Sequence, residues 1–465
     1  MSILSDRYAS SAMKQIWSSK SKIASERRLW ITVMRAQSEL GLDIPAAAIA
    51  DYERVIDSID LESIDKREKD LRHDVKARIE EFNSLAGHQY IHIGMTSRDL
   101  TENIEAAQIK AGLELIRFKS IALLAGLGEK SAEYKALAIV GRSHNVPAQI
   151  TTLGKRFASI AEELLYGYQR LENLIENFPI RGLKGPVGTA QDSYEAMGDK
   201  YQSLEDTLIK SLGFERSLDS TGQIYPRSID YDVITTLVLL SAAASNLATS
   251  IRLMAGHDLV SEGFKAGQVG SSAMPHKMNT RSCERINGLA AILKGYATMA
   301  GEISGLQWNE GDVSDSVVRR VALSDAFFAL DAIFETSLTV LSEFGVFENN
   351  IRKEIEQHLP FLATTKILMA AVKSGMGRED AYQVIKEISL KATDEIRQGG
   401  QNTFLAKLAS DPRIPLDKSA LEDLISSPLE FAGLAQKQCE AVIAKVLKIT
   451  KAHPEAASYK PSAIR

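Results

Sequence analysis

Val233-Ile-Thr-Thr-Leu-Val-Leu-Leu-Ser-Ala-Ala-Ala-Ser-Asn-Leu-Ala-Thr-Ser-Ile-Arg-Leu-Met-Ala-Gly256 is the stretch whose pattern decides the fold. Val233, Leu237, Leu240, Ala244, Leu247, Ile251 and Met254 alternate spacings of four and three. That is the a/d period of a helix packing one stripe against other helices, and Gly256 ends it. A second seam follows Pro147 through Ile150, Leu153, Phe157, Ile160, Leu164, Leu171, Leu174 and Phe178, stopping at Pro179. At 1.5 Å per residue, each of these helices is roughly 35 to 45 Å long. A third starts near Thr96-Ser-Arg-Asp99, where Thr96 and Asp99 have capping-box spacing, and continues through Leu100, Ile104, Ala107, Ala111, Leu115 and Phe118. No proline interrupts the chain between Pro45 and Pro147 or between Pro275 and Pro360, so both gaps can hold very long helices. Short strands are expected only near the glycine-rich stretch 182–188.

These seams imply an all-α protein with a long central helical bundle. The expected division is an N-terminal helical domain over 1–96, the bundle over 97–346 with a glycine-rich loop at 263–280, and a C-terminal helical domain over 347–465. Stripes this long usually bury themselves against neighbouring subunits as well, so an oligomer is expected. The 465 residues are 45% hydrophobic and 25% charged, which are globular values and exclude a small binding module. A formal charge of −5 excludes the basic footprint of a nucleic-acid binder. Two cysteines, Cys283 and Cys439, cannot form a disulfide framework or a cysteine-rich zinc site and suit a reducing compartment. The N-terminus lacks the apolar core of a signal peptide, and no uninterrupted apolar run approaches a membrane span. A soluble cytoplasmic protein with no membrane partner is the expectation.

Chemistry concentrates in Gly267-Gln-Val-Gly-Ser-Ser-Ala-Met-Pro-His-Lys-Met-Asn279. Its glycines let backbone amides approach an anion, and Lys277 and Asn279 can hold a carboxylate; taken alone it also reads as a surface connection. His88 and His92 are four apart, but Gln89 replaces the glutamate of a zinc-protease helix, so no metal is expected. Gly182-Leu-Lys-Gly-Pro-Val-Gly188 lacks the ending of a P-loop, and no cofactor is assigned.

Three stretches together carry a family resemblance. Gly270-Ser-Ser-Ala-Met-Pro-His-Lys-Met-Asn279 resembles the signature loop of the fumarase/aspartase superfamily, and Gly94-Met-Thr-Ser-Arg-Asp-Leu-Thr-Glu-Asn103 and Gly141-Arg-Ser-His-Asn-Val-Pro-Ala-Gln-Ile-Thr-Thr-Leu-Gly-Lys-Arg156 resemble its other two conserved regions. Arg7-Tyr8, Arg72-His73-Asp74 and Ser220-Thr-Gly-Gln223 resemble the adenylosuccinate lyase family within it. The resemblance implies a homotetramer with active sites shared between subunits. It also implies β-elimination of fumarate from adenylosuccinate and from succinyl-aminoimidazole-carboxamide ribotide in purine synthesis. By the same resemblance Ser271 is the catalytic base and His144 the general acid. Lys277, Asn279, Thr96 and Ser97 bind substrate carboxylates, and Gln223 binds substrate. Arg72, His73, Asp74 and His92 sit at the substrate side, where His73 and His92 support the acid or position substrate. Arg7, Tyr8, Ser316 and Arg320 face the phosphate, with Arg285 nearby. For Gln223 and His92, helix-end hydrogen bonding is an equal reading.

Two departures from the family pattern stand out: Thr280 follows Asn279 where proline is usual, and Gly311 stands where some members carry a phosphate-side arginine. A sister lyase such as one acting on argininosuccinate would share Ser271, Lys277 and Asn279 without needing the phosphate-side residues. A helical scaffold that lost catalysis would not need Ser271, His144, Lys277 and Asn279.

Overall fold

A computed structural model describes residues 2–263, 274, 277–312 and 314–461. Ser271 lies outside the described residues. The architecture is all-α, as the seams imply, around five long helices: Ser97–Glu133, Leu153–Asn177, Ser228–Ala255, Arg281–Ile303 and Ser314–Glu343. They pack side by side into one bundle. Every member of the seam in Ser228–Ala255 is buried, from Val233 to Met254, and each buried leucine there contributes about 1.5 to 3 kcal/mol by leaving water. By length and composition this helix could also cross a membrane, although it contains no long uninterrupted apolar run; 56% of its most apolar stretch is buried inside the protein.

Two expectations need correction. The seam after Pro147 is not helical from its start: Ala138–Ser143 (β1) and Val146–Thr152 (β2) form an antiparallel hairpin in which Ile150 pairs with Val140. The helix begins only at Leu153, where the Thr152 hydroxyl accepts the Lys155 N–H at 3.0 Å. The segment 182–188 is not a strand; the extended contact nearby is a single bridge between Ile180 and Ser217. In both places local geometry overrides pattern. Residues 138–152 pair with their own immediate neighbours, while at Gly188 the chain passes so close to the Thr221 carbonyl that a Cβ would lie 1.8 Å from its oxygen. Gly154 shows such an approach at the start of the Leu153–Asn177 helix. A Cβ there would lie 2.5 Å from the Lys135 amide and the Ser131 carbonyl, so only glycine lets this helix start against the end of the Ser97–Glu133 helix.

Mid-bundle, Lys119 is 1% exposed and sits between Asp331 and Glu335. It donates to Ser10 Oγ at 3.1 Å, the Ser10 N–H donates to Asp331 at 2.6 Å, and the Tyr459 hydroxyl donates to Glu335 at 2.6 Å. One buried ammonium thus joins both ends of the chain to two central helices. A separate apolar core, containing Ile367, Val384, Ile388, Phe404 and Leu421, lies in the C-terminal part.

Candidate active site

At one end of the bundle the capping spacing of Thr96 and Asp99 is realised: the Thr96 N–H donates to Asp99 Oδ2 at 2.8 Å. The other oxygen of Asp99 accepts from the Lys184 amide at 2.9 Å, the Gly185 amide at 3.0 Å and the Arg181 guanidinium. Arg181 is fully buried and also donates to the Gly222 carbonyl at 3.0 Å, next to Gln223. Asp99 and Arg181 therefore fix Thr96 and Ser97, at the positive end of a long helix dipole, relative to Gln223. Sequence reasoning missed Arg181, because a contact 82 positions away leaves no periodic trace.

The residues expected to face the phosphate are only partly gathered at this end. Ser316 Oγ accepts from Arg98 at 2.9 Å, which adds Arg98 to the candidates, while Arg320 is exposed. Gly311 has φ 143, and a Cβ on it would meet the Gln223 Cβ at 3.3 Å. An arginine at this place would need a different backbone path, so the departure is one of chain course as well as charge. Beneath lies a buried ion network: Glu102 receives Arg227 through two bonds of 2.9 Å, and Arg319 bonds Asp230 at 2.7 Å and Glu105 at 2.6 Å. Burial alone would raise both glutamates. Arg319 and Arg227 hold Glu102, and Lys22 and Arg319 hold Glu105, below the usual carboxylate range.

In the N-terminal region, His73 caps the Asp74–Ala86 helix, its Nδ1 accepting the Lys76 amide at 3.3 Å. Arg72 is exposed in the left-handed region, with φ 53. Burial would raise Asp74, but Arg78, the Val75 amide and Lys22 keep its carboxyl low. His92 is half-buried, also left-handed with φ 67, and accepts the Trp30 indole N–H on Nδ1 at 3.0 Å. Burial pushes its imidazole down to about 4, with Lys76 and His73 adding to the effect. The fold thus brings His73 and His92 together. It also gathers Arg7, Tyr8 and Arg285, with both guanidinium groups over the Tyr8 ring at 5.7 and 5.5 Å.

His144 occupies the opposite end of the bundle. It and Asn145 form the two-residue tip between Ser143 and Val146, with φ 52 and 62, the pattern of a type I′ turn. Its imidazole is exposed, and Arg142 braces the hairpin through an ion pair with Glu354. Lys277 and Asn279 line a crevice of about 290 Å³ with Asp258, Glu262 and Phe347. Among the described residues no group of three or more His, Cys, Asp or Glu side chains is placed to hold a metal ion.

Between Thr96 and the hairpin runs a helix of 37 residues, about 55 Å long at 1.5 Å per residue. One chain therefore does not bring Thr96 and His144 to one substrate.

A model of the lyase family matches residues 4–295, and one described as the adenylosuccinate lyase C-terminus matches residues 360–442. The adenylosuccinate lyases of Saccharomyces cerevisiae and Schizosaccharomyces pombe are each 34% identical over 452 residues, covering 95% of this chain and 93% of theirs. The crystal structure of 3-carboxy-cis,cis-muconate lactonizing enzyme from Pseudomonas putida superposes with a TM-score of 0.84 at 18% identity, covering 96% of this chain and 99% of that one, and so shares the fold. With both family models matched in order and relatives aligned almost end to end, the chain belongs to the adenylosuccinate lyase family and is a C–N lyase.

Proposed function

We propose that the chain cleaves adenylosuccinate to AMP and fumarate, and the succinyl-aminoimidazole-carboxamide ribotide to its carboxamide and fumarate, in active sites shared by the subunits of a cytoplasmic homotetramer. Ser271 takes the proton beside the carboxylate, the electron pair moves toward that carboxylate, and the C–N bond breaks as His144 protonates the departing nitrogen. The hard step places charge on the carboxylate, so groups aimed there supply much of the catalysis. Lys277, Asn279, Thr96 and Ser97 take that role. Gln223, with Arg72, His73, Asp74 and His92, orients the nucleotide, and Arg7, Tyr8, Arg285, Ser316 and Arg320 form its phosphate side. The domains divide at 96 and 346.

The observation that carries the shared-site reading is the helix of 37 residues between Thr96 and the His144 hairpin. Apolar side chains left uncovered on neighbouring bundle helices support it: Tyr166 is 72% exposed, Leu253 53% and Ile292 44%. Covering such side chains with a neighbouring subunit would stabilise the assembly by removing apolar surface from water. Ultraviolet-monitored turnover of purified adenylosuccinate beside argininosuccinate, aspartate and malate tests the substrate. Turnover is expected with adenylosuccinate, and succinyl-adenosine, which lacks the phosphate, should be very poor. Equal kcat/KM with and without the phosphate would move the assignment to a sister lyase.

A further inference from the structure

We propose that Trp30 is a positioning residue that holds His92 as a neutral hydrogen-bond donor, its ring proton on Nε2 and presented to the substrate. The proposal rests on the reading of His92 as a substrate-side residue and goes beyond it by fixing the ring's protonation state and naming the group responsible. An indole N–H only donates. Its bond of 3.0 Å to His92 Nδ1 therefore consumes the Nδ1 lone pair and leaves the single proton of a neutral imidazole on Nε2. Trp30 cannot swing away, since it is 1% exposed in the Ser19–Glu39 helix and stacked on Phe82 at 6.3 Å. It meets the imidazole edge-on, at an interplanar angle of 81°.

The backbone around His92 is pinned as well. Gln37 donates to the Ile93 carbonyl at 2.9 Å, and the Tyr52 hydroxyl accepts the Tyr90 N–H at 3.3 Å. Between these anchors His92 is kept at φ 67, a conformation that costs free energy and persists only where the surroundings impose it. The charged and titratable groups facing the ring are Lys76 and His73, and both oppose a second proton. No described residue bonds the Nε2 edge.

A neutral donor has a specific use beside an anionic substrate that yields two anionic products. A charged imidazolium would grip substrate and products alike, which lowers KM while slowing product release. The neutral ring orients the nucleotide and releases it.

Magic-angle-spinning NMR of the assembled full-length protein, labelled with ¹⁵N-histidine and assigned by difference against His92→Gln, reads the ring directly. A single proton on Nε2 is expected from pH 8 down to pH 5. In Trp30→Phe the freed Nδ1 lone pair should let the ring take a second proton at a higher pH than in the wild type, with burial, Lys76 and His73 still holding it below the unperturbed value of about 6.5. At pH 5.5 that variant's KM should then fall about fivefold with kcat falling too, as expected when a charge-assisted bond replaces a neutral one. At pH 8, where both rings are neutral, the variant should lose only the tautomer preference, which raises KM by about twofold. Packing damage would instead impair turnover at every pH. Benzothienylalanine at position 30 keeps the shape of indole without its N–H, and the same result is expected if Trp30→Phe folds poorly. A wild-type ring protonated on Nδ1, or a variant whose ring and pH profile match the wild type, overturns the proposal. His92→Gln with unchanged KM and kcat overturns the underlying placement of His92 at the substrate, whatever the ring's protonation.

Discussion

Asp99 and Arg181 carry more of the site's geometry than any pair visible in the sequence pattern. Arg181→Ala leaves a fully buried carboxylate without its counter-charge, which typically costs about 3 to 5 kcal/mol; the three amides still bonded to Asp99 offset part of that. A urea unfolding midpoint lowered by several kcal/mol equivalents, with kcat/KM lost in parallel, is expected. A change under about 1 kcal/mol, the scale of a surface substitution, would refute the pair's role. His92 makes a separate prediction about pH. Its folded pKa is lowered to about 4 while the unfolded chain titrates near 6.5. As pH falls, the unfolded state therefore takes up the proton first, and stability is lost progressively between about 6.5 and 4, by about 3 kcal/mol in all. The depressed Glu102 and Glu105 act in the same direction but lower, their contribution being full above about 4.3 and lost as pH falls through their folded values. Wild-type urea midpoints should thus decline from pH 6.5 to 5, and those of His92→Gln should decline distinctly less, the remainder coming from groups such as His358, which burial also lowers. Parallel curves would contradict the assignment.

Elements divide cleanly by how legible they were. The Ser228–Ala255 helix could be read from period alone because its apolar stripe is its packing surface, and the start of the Ser97–Glu133 helix because capping is a local event. The hairpin could not: its burial alternates irregularly in β1 and β2, and Pro147 invited a helix start. The available signal was Asn145, a residue that tolerates the left-handed region a two-residue turn demands. For the site, resemblance proposed the motif residues, whereas the side chains that bond them, Arg181 and Trp30, come from distant segments without a motif. The turn makes a prediction of its own. Asn145→Gly should leave stability and kcat nearly unchanged. Asn145→Val, β-branched at φ 62, should cost about 1 to 2 kcal/mol and reduce kcat by displacing His144. An unimpaired Asn145→Val enzyme, measured by thermal unfolding and turnover, would remove the turn from the mechanism.

For the whole molecule, the decisive experiment asks whether Ser271 and His144, proposed as base and acid, meet from different subunits. Ser271→Ala and His144→Ala should each fold and be nearly inactive, since acid–base groups contribute about 10² to 10⁴ in rate. Mixed under conditions that permit subunit exchange, they should form some sites with both wild-type residues. Random assembly of symmetric oligomers then restores up to about a quarter of activity. Light scattering showing a fully active monomer would refute the shared site, and no recovery after proven exchange would place both residues on one chain.

The knot around Lys119 has a bearing on biosynthesis. Asp331, Glu335 and Tyr459 follow Lys119 by more than two hundred positions, and a ribosome adds about 5 to 20 residues each second. The first bundle helix therefore emerges with a cation destined for the interior and waits roughly 10 to 40 s for its carboxylates, and longer for the tyrosine that completes them. During that interval it cannot close its own core. Nascent chains of this protein should thus stay partly folded over that interval, and the contacts of Tyr459 in this interior form only once residue 459 has been made.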